Sequence, residues 1–229
     1  MDLPVKADVS RDSLIVAIDG PAGVGKSTVA KRLAVTLGLP YISTGLMYRA
    51  VALEALRRGV DADDGEALAK IAGDLDFGLN TSESPPELAI DGKPPDRSLE
   101  SPEVEAVVSR VSRHPGVRAI LRERQRVLGR GGCIMEGRDI GSVVFPEADL
   151  KVLLQAHPEI RTRRRERERG HHGMGEVVAE RDRVDAQTTP LSPSADTHTL
   201  DTTPMSPDEV YRSILSLIEA LPNREGPDR

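Results

Sequence analysis

The chain has 229 residues, a formal net charge of −6 and a single cysteine, Cys133. This length supports one domain with an appendage or two small domains, and it buries enough surface to need no disulfide or metal. A lone cysteine excludes an internal disulfide and a cysteine-based zinc site, and it favours the reducing cytoplasm. No apolar run approaches the roughly 20 residues that cross a bilayer, so we expect no membrane partner.

Charge and aromatic content also limit the kinds of partner. Aromatic residues make up 2% of the chain, which argues against a base-stacking surface for single-stranded nucleic acid. Positive charge is concentrated in residues 161–169, where six arginines accompany two glutamates on an otherwise acidic chain. This pattern predicts a small polyanion held at one place and no nucleic-acid partner. The size and polar exterior favour a monomer.

The first part of the chain combines an apolar run with helical patterns. Residues 1–12 are polar and unpatterned, and we expect them to be disordered. Residues 14–18 are apolar without alternation, which is typical of a parallel strand buried on both faces. A glycine-rich turn separates this strand from two predicted helices, at residues 27–37 and 44–58.

Residues 61–99 have a different pattern. Short helical and strand-like pieces are predicted here, at residues 64–72, 75–79 and 87–90, and Asp91-Gly92 is a hairpin signal. Nothing in this stretch resembles a strand–helix–strand unit. We therefore interpret it as an inserted antiparallel lobe.

The rest of the chain returns to alternating strands and helices. Helices are predicted at residues 102–113, 115–128, 158–169, 175–184 and 207–221. Strands are predicted at residues 133–135, 150–154 and 198–201, and residues 222–229 are expected to form a disordered tail. This alternation predicts an α/β fold with a parallel, doubly wound sheet.

The turn after the first strand matches the phosphate-binding pattern G-x-x-x-x-G-K-[ST]. Its residues are Gly20, Pro21, Ala22, Gly23, Val24, Gly25, Lys26, Ser27 and Thr28. The glycines let backbone N–H groups surround phosphate oxygens, and the helix that follows adds partial positive charge. Lys26 is expected to reach the β and γ phosphates and Ser27 to ligate Mg²⁺. The loop therefore predicts binding of ATP or GTP.

The arginines indicate which reaction this loop serves. Switch GTPases and motors need a second acidic strand end, and no run of four apolar residues ending in Asp-Glu is present. Arginines are abundant instead, at positions 49, 118, 138 and 181 and in residues 161–169. Phosphoryl transfer between two nucleotides needs several cations and the exclusion of water. The pattern therefore favours a small kinase that phosphorylates a phosphate.

Three segments carry a family resemblance. Residues 18–28, 43–49 and 136–146 closely resemble bacterial cytidylate kinases, and Arg181-Asp182-Arg183-Val184-Asp185 is similar to the family's Arg-Asp-x-x-Asp. The resemblance covers residues 14–221. It implies a P-loop NTPase core at residues 13–60 and 100–221, with a nucleoside monophosphate (NMP)-binding lobe at 61–99 and a helical lid at 158–184. It further implies transfer of the ATP γ-phosphoryl group to CMP or dCMP, with Mg²⁺, in pyrimidine nucleotide metabolism.

The resemblance also assigns roles to individual residues. The base of CMP would be contacted by Ser109, Arg118 and Asp139. Its phosphate would be held by Arg49 and Arg138, with Ser43, Thr44 and Tyr48 nearby. Arg181 and Asp185 would lie near the ribose and the transferred group, and the catalytic set would be Lys26, Arg138, Arg181 and Asp185. ATP would be covered by the lid arginines, Arg161, Arg164 and Arg165.

One departure from the family pattern leaves alternatives open. The family often continues Asp-Ser-x-Arg after the second aspartate, whereas this chain reads Asp185-Ala186-Gln187-Thr188. Either another arginine substitutes or turnover is lower. The alternatives are a monophosphate kinase for UMP or AMP, an ATP-binding regulatory module without transfer, and an RNA-binding P-loop protein.

Overall fold

The computed structural model describes residues 13–169, 175, 179, 183–184, 191 and 193–222. Within these residues, seven strands form one sheet in the order β3-β4-β2-β5-β1-β6-β7. The strands are β1 Ile15–Asp19, β2 Tyr41–Ser43, β3 Phe77–Asn80, β4 Glu87–Ile90, β5 Cys133–Gly137, β6 Leu150–Gln155 and β7 Thr197–Asp201. The predicted α/β class with a parallel sheet is confirmed, because only β3 runs antiparallel to its neighbour among these strands.

The central strand β1 lies between β5 and β6. Ile15 pairs with Cys133 and Asp19 with Gly137, while Val16 pairs with Leu150 on the other side. The carboxyl ends of β1 and β5 therefore lie level with each other. In open parallel sheets, ligands bind outside this edge.

Seven α-helices flank the sheet within the described residues. They are α1 Lys26–Leu37, α2 Thr44–Arg58, α3 Gly65–Asp74, α4 Pro102–Ser112, α5 Pro115–Gly129, α6 Pro158–Arg169 and α7 Pro207–Glu219. A 3₁₀ turn, Arg97–Glu100, and a π-helical turn, Ile140–Val144, complete the regular structure. The predicted helix at residues 175–184 lies mostly outside the described residues.

Helix ends follow local chemistry. Gly38 and Gly59 end α1 and α2 in the left-handed conformation, as the sequence pattern predicts. Ser206 caps α7 through a reciprocal pair of bonds with Glu209, which satisfies backbone groups at the start of that helix.

Buried apolar side chains form three clusters among the described residues. One cluster joins α1 and α7 to β1 and β6, through residues such as Leu33, Ile214 and Ile18. Another joins residues 61–99 to α2, α4 and α5, through residues such as Leu68 and Leu121. Residues 61–99 therefore share their core with three helices outside that segment.

The strands of this segment extend the main sheet. β3 and β4 form an antiparallel pair from Phe77↔Ile90 to Asn80↔Glu87. β4 also pairs in parallel with β2, through Tyr41 and Glu87. The short strand β2 was not predicted, because three residues after Leu39-Pro40 give no periodic signal. Among the described residues, the helices are too short or too polar to span a bilayer.

Candidate active site

The phosphate-binding loop lies between β1 and α1. Gly25 caps α1 with φ 95°, and the backbone amides that follow point from the helix start. Lys26 is 7% exposed, and its Nζ donates to the carbonyl oxygens of Gly20 at 2.8 Å and Pro21 at 3.0 Å. Its ammonium is thus held over the loop, where an anion would meet it.

Two glycines of the loop are required by close packing. A Cβ on Gly20 would lie 2.4 Å from the carbonyl oxygen of Leu154. A Cβ on Gly23 would lie 2.6 Å from the carbonyl oxygen of Arg161, and its φ of 78° disfavours other residues. The loop therefore rests directly on the backbone of β6 and α6.

A buried carboxylate that the sequence analysis missed lies beside the loop. Glu136, near the end of β5, is 5% exposed and accepts hydrogen bonds from Ser27 Oγ at 3.0 Å and Ser43 Oγ at 2.6 Å. Burial of the Tyr41 phenol raises the pKa of that group, and the negative charge of Glu136 raises it further. The search for an Asp-Glu pair overlooked it, although it follows an apolar strand that pairs with β1.

A cleft at the carboxyl ends of β1 and β5 is lined by many of the predicted phosphate ligands. Its lining includes Lys26 and Ser27 from the loop, Ser43, Arg49, Arg138 and Arg165. Ala22, Gly23, Gly25 and Thr28 also line it. Arg138 Nη1 donates to the carbonyl oxygen of Gly20 at 2.7 Å. These cations converge from four different segments of the chain.

A second pocket adjoins this cleft and shares Gly45, Glu136 and Arg138 with it. Its lining also contains the predicted base-binding residues Ser109, Arg118 and Asp139, together with Thr44 and Tyr48. Thr44 Oγ1 donates to the backbone oxygen of Glu136 at 2.9 Å, which fixes the start of α2 against β5. Burial, as the largest cause, raises the pKa of the Tyr48 phenol, which stays neutral.

Two arginines hold Asp139 in this pocket. Arg118 Nη2 and Arg122 Nη2 donate to Asp139 Oδ2 at 2.9 Å and 2.6 Å. Arg122 was not among the predicted site residues. Helical spacing shows that it shares a face of α5 with Arg118, but spacing does not show which residues that face contacts. Both guanidinium groups bond to Oδ2. Within the part of the chain that the structure describes, Oδ1 accepts no hydrogen bond, so a ligand can donate to it.

Asp19 braces the segment that carries Arg138 and Asp139. Its two carboxylate oxygens accept from the backbone amides of Ile140 and Gly141, each at 2.8 Å. Burial raises the pKa of this carboxyl from 3.8 to about 6, partly offset by these two hydrogen bonds. The end of β1 is thereby tied to the π-helical turn.

The predicted lid arginines fall into different places. Arg161 is 5% exposed and donates to the backbone oxygens of Ala156 at 3.1 Å and Ala22 at 3.2 Å. Arg164 donates to Thr202 Oγ1 at 3.0 Å and to the backbone oxygen of Thr202 at 2.7 Å. Arg165 alone of the three lines the phosphate cleft. Arg161 and Arg164 instead tie α6 to the loop and to the segment before α7.

A third pocket, of about 470 Å³, lies on the far side of the phosphate loop. It shares Gly25 and Thr28 with the cleft, and Val24, Arg163, Arg164 and Pro207 also line it. Its mainly apolar floor suits a flat ring system attached to the phosphates in the cleft. Arg181 and Asp185, the remaining predicted site residues, lie outside the described residues.

Comparisons with known proteins show which family and fold the chain is similar to. The sequence model of a family described as cytidylate kinase matches residues 16–220. A cytidylate kinase of Pelotomaculum thermopropionicum is 44% identical over 216 residues, covering 90% of this chain and 96% of the relative. A cytidylate kinase of Streptomyces coelicolor is 39% identical, with 90% and 93% covered.

Two further comparisons extend the picture. A bifunctional pantoate ligase/cytidylate kinase of a Synechococcus strain is 42% identical over 94% of this chain, which spans 42% of that relative. A gluconokinase from Sinorhizobium meliloti 1021 has a TM-score of 0.51 at 14% identity, with 92% of this chain and 95% of that chain covered. This last likeness concerns the fold alone.

Proposed function

The chain belongs to the cytidylate kinase family, and we propose that it transfers the γ-phosphoryl group of ATP to CMP or dCMP, giving ADP and CDP or dCDP. The observation that carries this proposal is the meeting of two pockets at Arg138. The phosphate loop lines one pocket, and the Arg118–Asp139 pair lines the other. Phosphate groups of ligands in the two pockets would therefore meet at Arg138.

The Arg118–Asp139 pair supports cytosine as the base. Cytosine presents an amino donor at N4 and acceptors at N3 and O2, whereas uracil presents an acceptor at C4 and a donor at N3. A carboxylate oxygen accepts from the amino group while a guanidinium donates to the ring acceptors. Uracil would leave these buried groups unpaired. The cost of these unpaired groups would make the pocket reject uracil. Ser109 lies in the same pocket.

The remaining cations fit the acceptor phosphate and the transferred group. In this proposal Arg49 and Arg138, which line the phosphate cleft, hold the phosphate of CMP, with Ser43 and Thr44 beside them. Because that phosphate is already ionised, no general base is required. Catalysis then consists of positioning and charge neutralisation by Lys26 and these arginines. We assign Arg181 and Asp185 to the ribose and the transferred group.

The third pocket fits the base of the donor nucleotide. It continues from the phosphate cleft past Gly25 and Thr28, so a nucleoside attached to phosphates in the cleft would enter it. In this proposal the lid at residues 158–184 covers ATP. The lobe at residues 61–99 closes over CMP together with α4, with which it shares a core.

Magnesium fits the residues beside the loop. Mg²⁺ prefers oxygen ligands and is usually held by one or two carboxylates and the substrate phosphates. Ser27 Oγ and Glu136 Oε1 are 3.0 Å apart, and both lie at the phosphate cleft. The ion would neutralise charge between the β and γ phosphates. Ser27 would hold it directly, and Glu136 would orient its ligand shell.

The proposal includes a monomer in the cytoplasm. Large exposed apolar side chains among the described residues are Val35, Leu56 and Val127, which lie on three different helices. Such scattered residues offer little apolar surface to a partner chain. Burial raises the pKa of the Cys133 thiol to about 12, so this cysteine stays an unreactive core residue.

A coupled assay of ADP release tests the proposal. ATP-Mg²⁺ is supplied with CMP, dCMP, UMP or AMP, and Lys26→Ala serves as the inactive reference, with kcat lowered roughly 10²–10³-fold. Turnover with CMP and dCMP and little with UMP is the expected result. Turnover with another acceptor would refute the base assignment, and ATP binding without any turnover would favour the regulatory alternative.

A further inference from the structure

A carboxylate on α4 joins two arginines of the phosphate cleft. Glu105 forms an ion pair with Arg49 of α2, and its Oε1 accepts from Arg165 Nη2 of α6 at 3.3 Å. Arg49 also donates from Nη1 to the backbone oxygen of Leu99 at 3.1 Å. One carboxylate therefore connects the acceptor side of the cleft with the lid helix.

This bridge is shielded from water. The side chains of Arg49, Glu105 and Arg165 are 7%, 11% and 14% exposed. Charge-assisted hydrogen bonds between shielded groups are shorter and stronger than surface pairs, and a shielded guanidinium left without its carboxylate is costly. Loss of Glu105 would therefore leave both shielded guanidinium groups without this carboxylate.

The helix that carries Glu105 also contacts the base pocket. Ser109 follows Glu105 by four residues, so the two side chains share one face of α4. Ser109 lines the pocket assigned to cytosine, whereas Arg49 and Arg165 line the phosphate cleft. Glu105 itself is not one of the described residues that line the phosphate cleft. It would act through the two arginines rather than on phosphate.

We propose that Glu105 is a positioning residue that couples the two substrates, so that binding of the nucleoside monophosphate places Arg165 on the phosphates of the triphosphate. This inference rests on the proposed function. A ligand that engages α4 at Ser109 fixes Glu105, and Glu105 fixes Arg165. By linkage, each nucleotide then increases affinity for the other by the same factor.

The test compares wild type with Glu105→Gln in the full chain. Glutamine keeps the size of the side chain, but its single acceptor oxygen cannot serve both arginines and its NH₂ group faces their donors. Isothermal titration measures Kd for CMP with and without a saturating non-hydrolysable ATP analogue. Glu103→Gln is the matched control, because Glu103 is an exposed carboxylate on the same helix.

The wild type and Glu103→Gln are expected to bind CMP at least about fivefold more tightly in the presence of the analogue. Glu105→Gln is expected to reduce this factor below about twofold, with Kd for the analogue alone changed by less than about twofold. A lower Tm is expected in either case, because the two guanidinium groups lose their carboxylate. A purely structural role would instead weaken binding of the analogue alone by more than about twofold. That result, or an unchanged coupling factor, would overturn the proposal.

A double-mutant cycle with Arg165→Lys locates the coupling. Lysine keeps the charge but not the planar fork that reaches both Glu105 and phosphate. The effects of Glu105→Gln and Arg165→Lys on the coupling factor are expected to be strongly non-additive, and additive effects would refute the route through Arg165. Failure of the wild type to phosphorylate CMP would refute the proposed function. Turnover with unaltered coupling in Glu105→Gln would refute only this inference.

Discussion

At the scale of single residues, the pocket lined by Ser109, Arg118 and Asp139 depends on how Asp139 presents its carboxylate. Arg118 and Arg122 both bond to Oδ2, and their guanidinium planes limit rotation of the group. A carboxylate held in this way offers Oδ1 in one direction. An amino group on the ring of the base is the donor that would meet it there.

Asp139→Asn is expected to weaken the preference for CMP over UMP. The amide nearly preserves the volume of the carboxyl but replaces one acceptor oxygen with a donor, which suits O4 of uracil. The ratio of kcat/KM for CMP to that for UMP should fall by about tenfold or more, since one hydrogen-bond mismatch in a closed site has effects of this order. KM for ATP should change little. An unchanged ratio would refute the assignment of Asp139 to the base.

Glu136→Gln tests the assigned magnesium position. The amide oxygen can still accept from Ser43 and Ser27, so the hydrogen bonds that position β2 and α1 are largely kept. The negative charge beside the proposed Mg²⁺ position is lost. We expect kcat to fall roughly 10²-fold and half-saturation by Mg²⁺ to move to higher concentration. Initial rates over a Mg²⁺ series at fixed ATP measure both, and unaltered Mg²⁺ dependence would contradict the assignment.

At the scale of elements, the junction of α5 with β5 is closely packed. Gly129 ends α5, and a Cβ there would lie 2.7 Å from Phe145 Cζ and 2.9 Å from Cys133 Sγ. Phe145 and Cys133 are buried, so neither can move into solvent. This packing sets the start of β5, and β5 places Glu136 beside the phosphate loop.

Gly129→Ala is therefore expected to destabilise the protein by about 1–3 kcal/mol, the usual cost of overpacking. The better helix propensity of alanine, up to about 1 kcal/mol, acts in the opposite direction. Gly131→Ala is the control, because its Cβ would meet no atom within 4 Å, and it should stay within about 0.5 kcal/mol of wild type. Urea unfolding measures both variants. Equal stability of the two would show that the junction can expand.

The sequence predicted elements better than it predicted contacts between them. The apolar run before the phosphate loop and the loop motif define β1 and the start of α1, because both signals are local. Arg122, Glu136 and Glu105 were missed because each meets a partner far along the chain. The separations are 17 residues to Asp139, 109 to Ser27 and 60 to Arg165. Periodicity identifies a face of a helix or strand but not its partner.

At the scale of the whole molecule, the stability of the fold is linked to pH through Asp19. This carboxyl joins β1 to the π-helical turn, and burial raises its pKa from 3.8 to about 6. Between these two values the folded state binds more protons than the unfolded state. The contribution of Asp19 to stability is therefore fully present below about pH 3.8 and is lost as the pH rises through about 6.

Asp19→Asn isolates this contribution, because asparagine does not titrate. The free energy of unfolding of wild type minus that of the variant is expected to fall between pH 4.5 and 7.5. A hydrogen bond from Lys151 lowers the pKa of Asp196 to about 2, and the stability linked to that group is lost only in more acid solution. The range from pH 4.5 to 7.5 therefore lies above the pH at which Asp196 titrates. Urea titrations at four pH values give the difference, and a difference that is constant or rises with pH would show that Asp19 is ionised throughout in the folded protein.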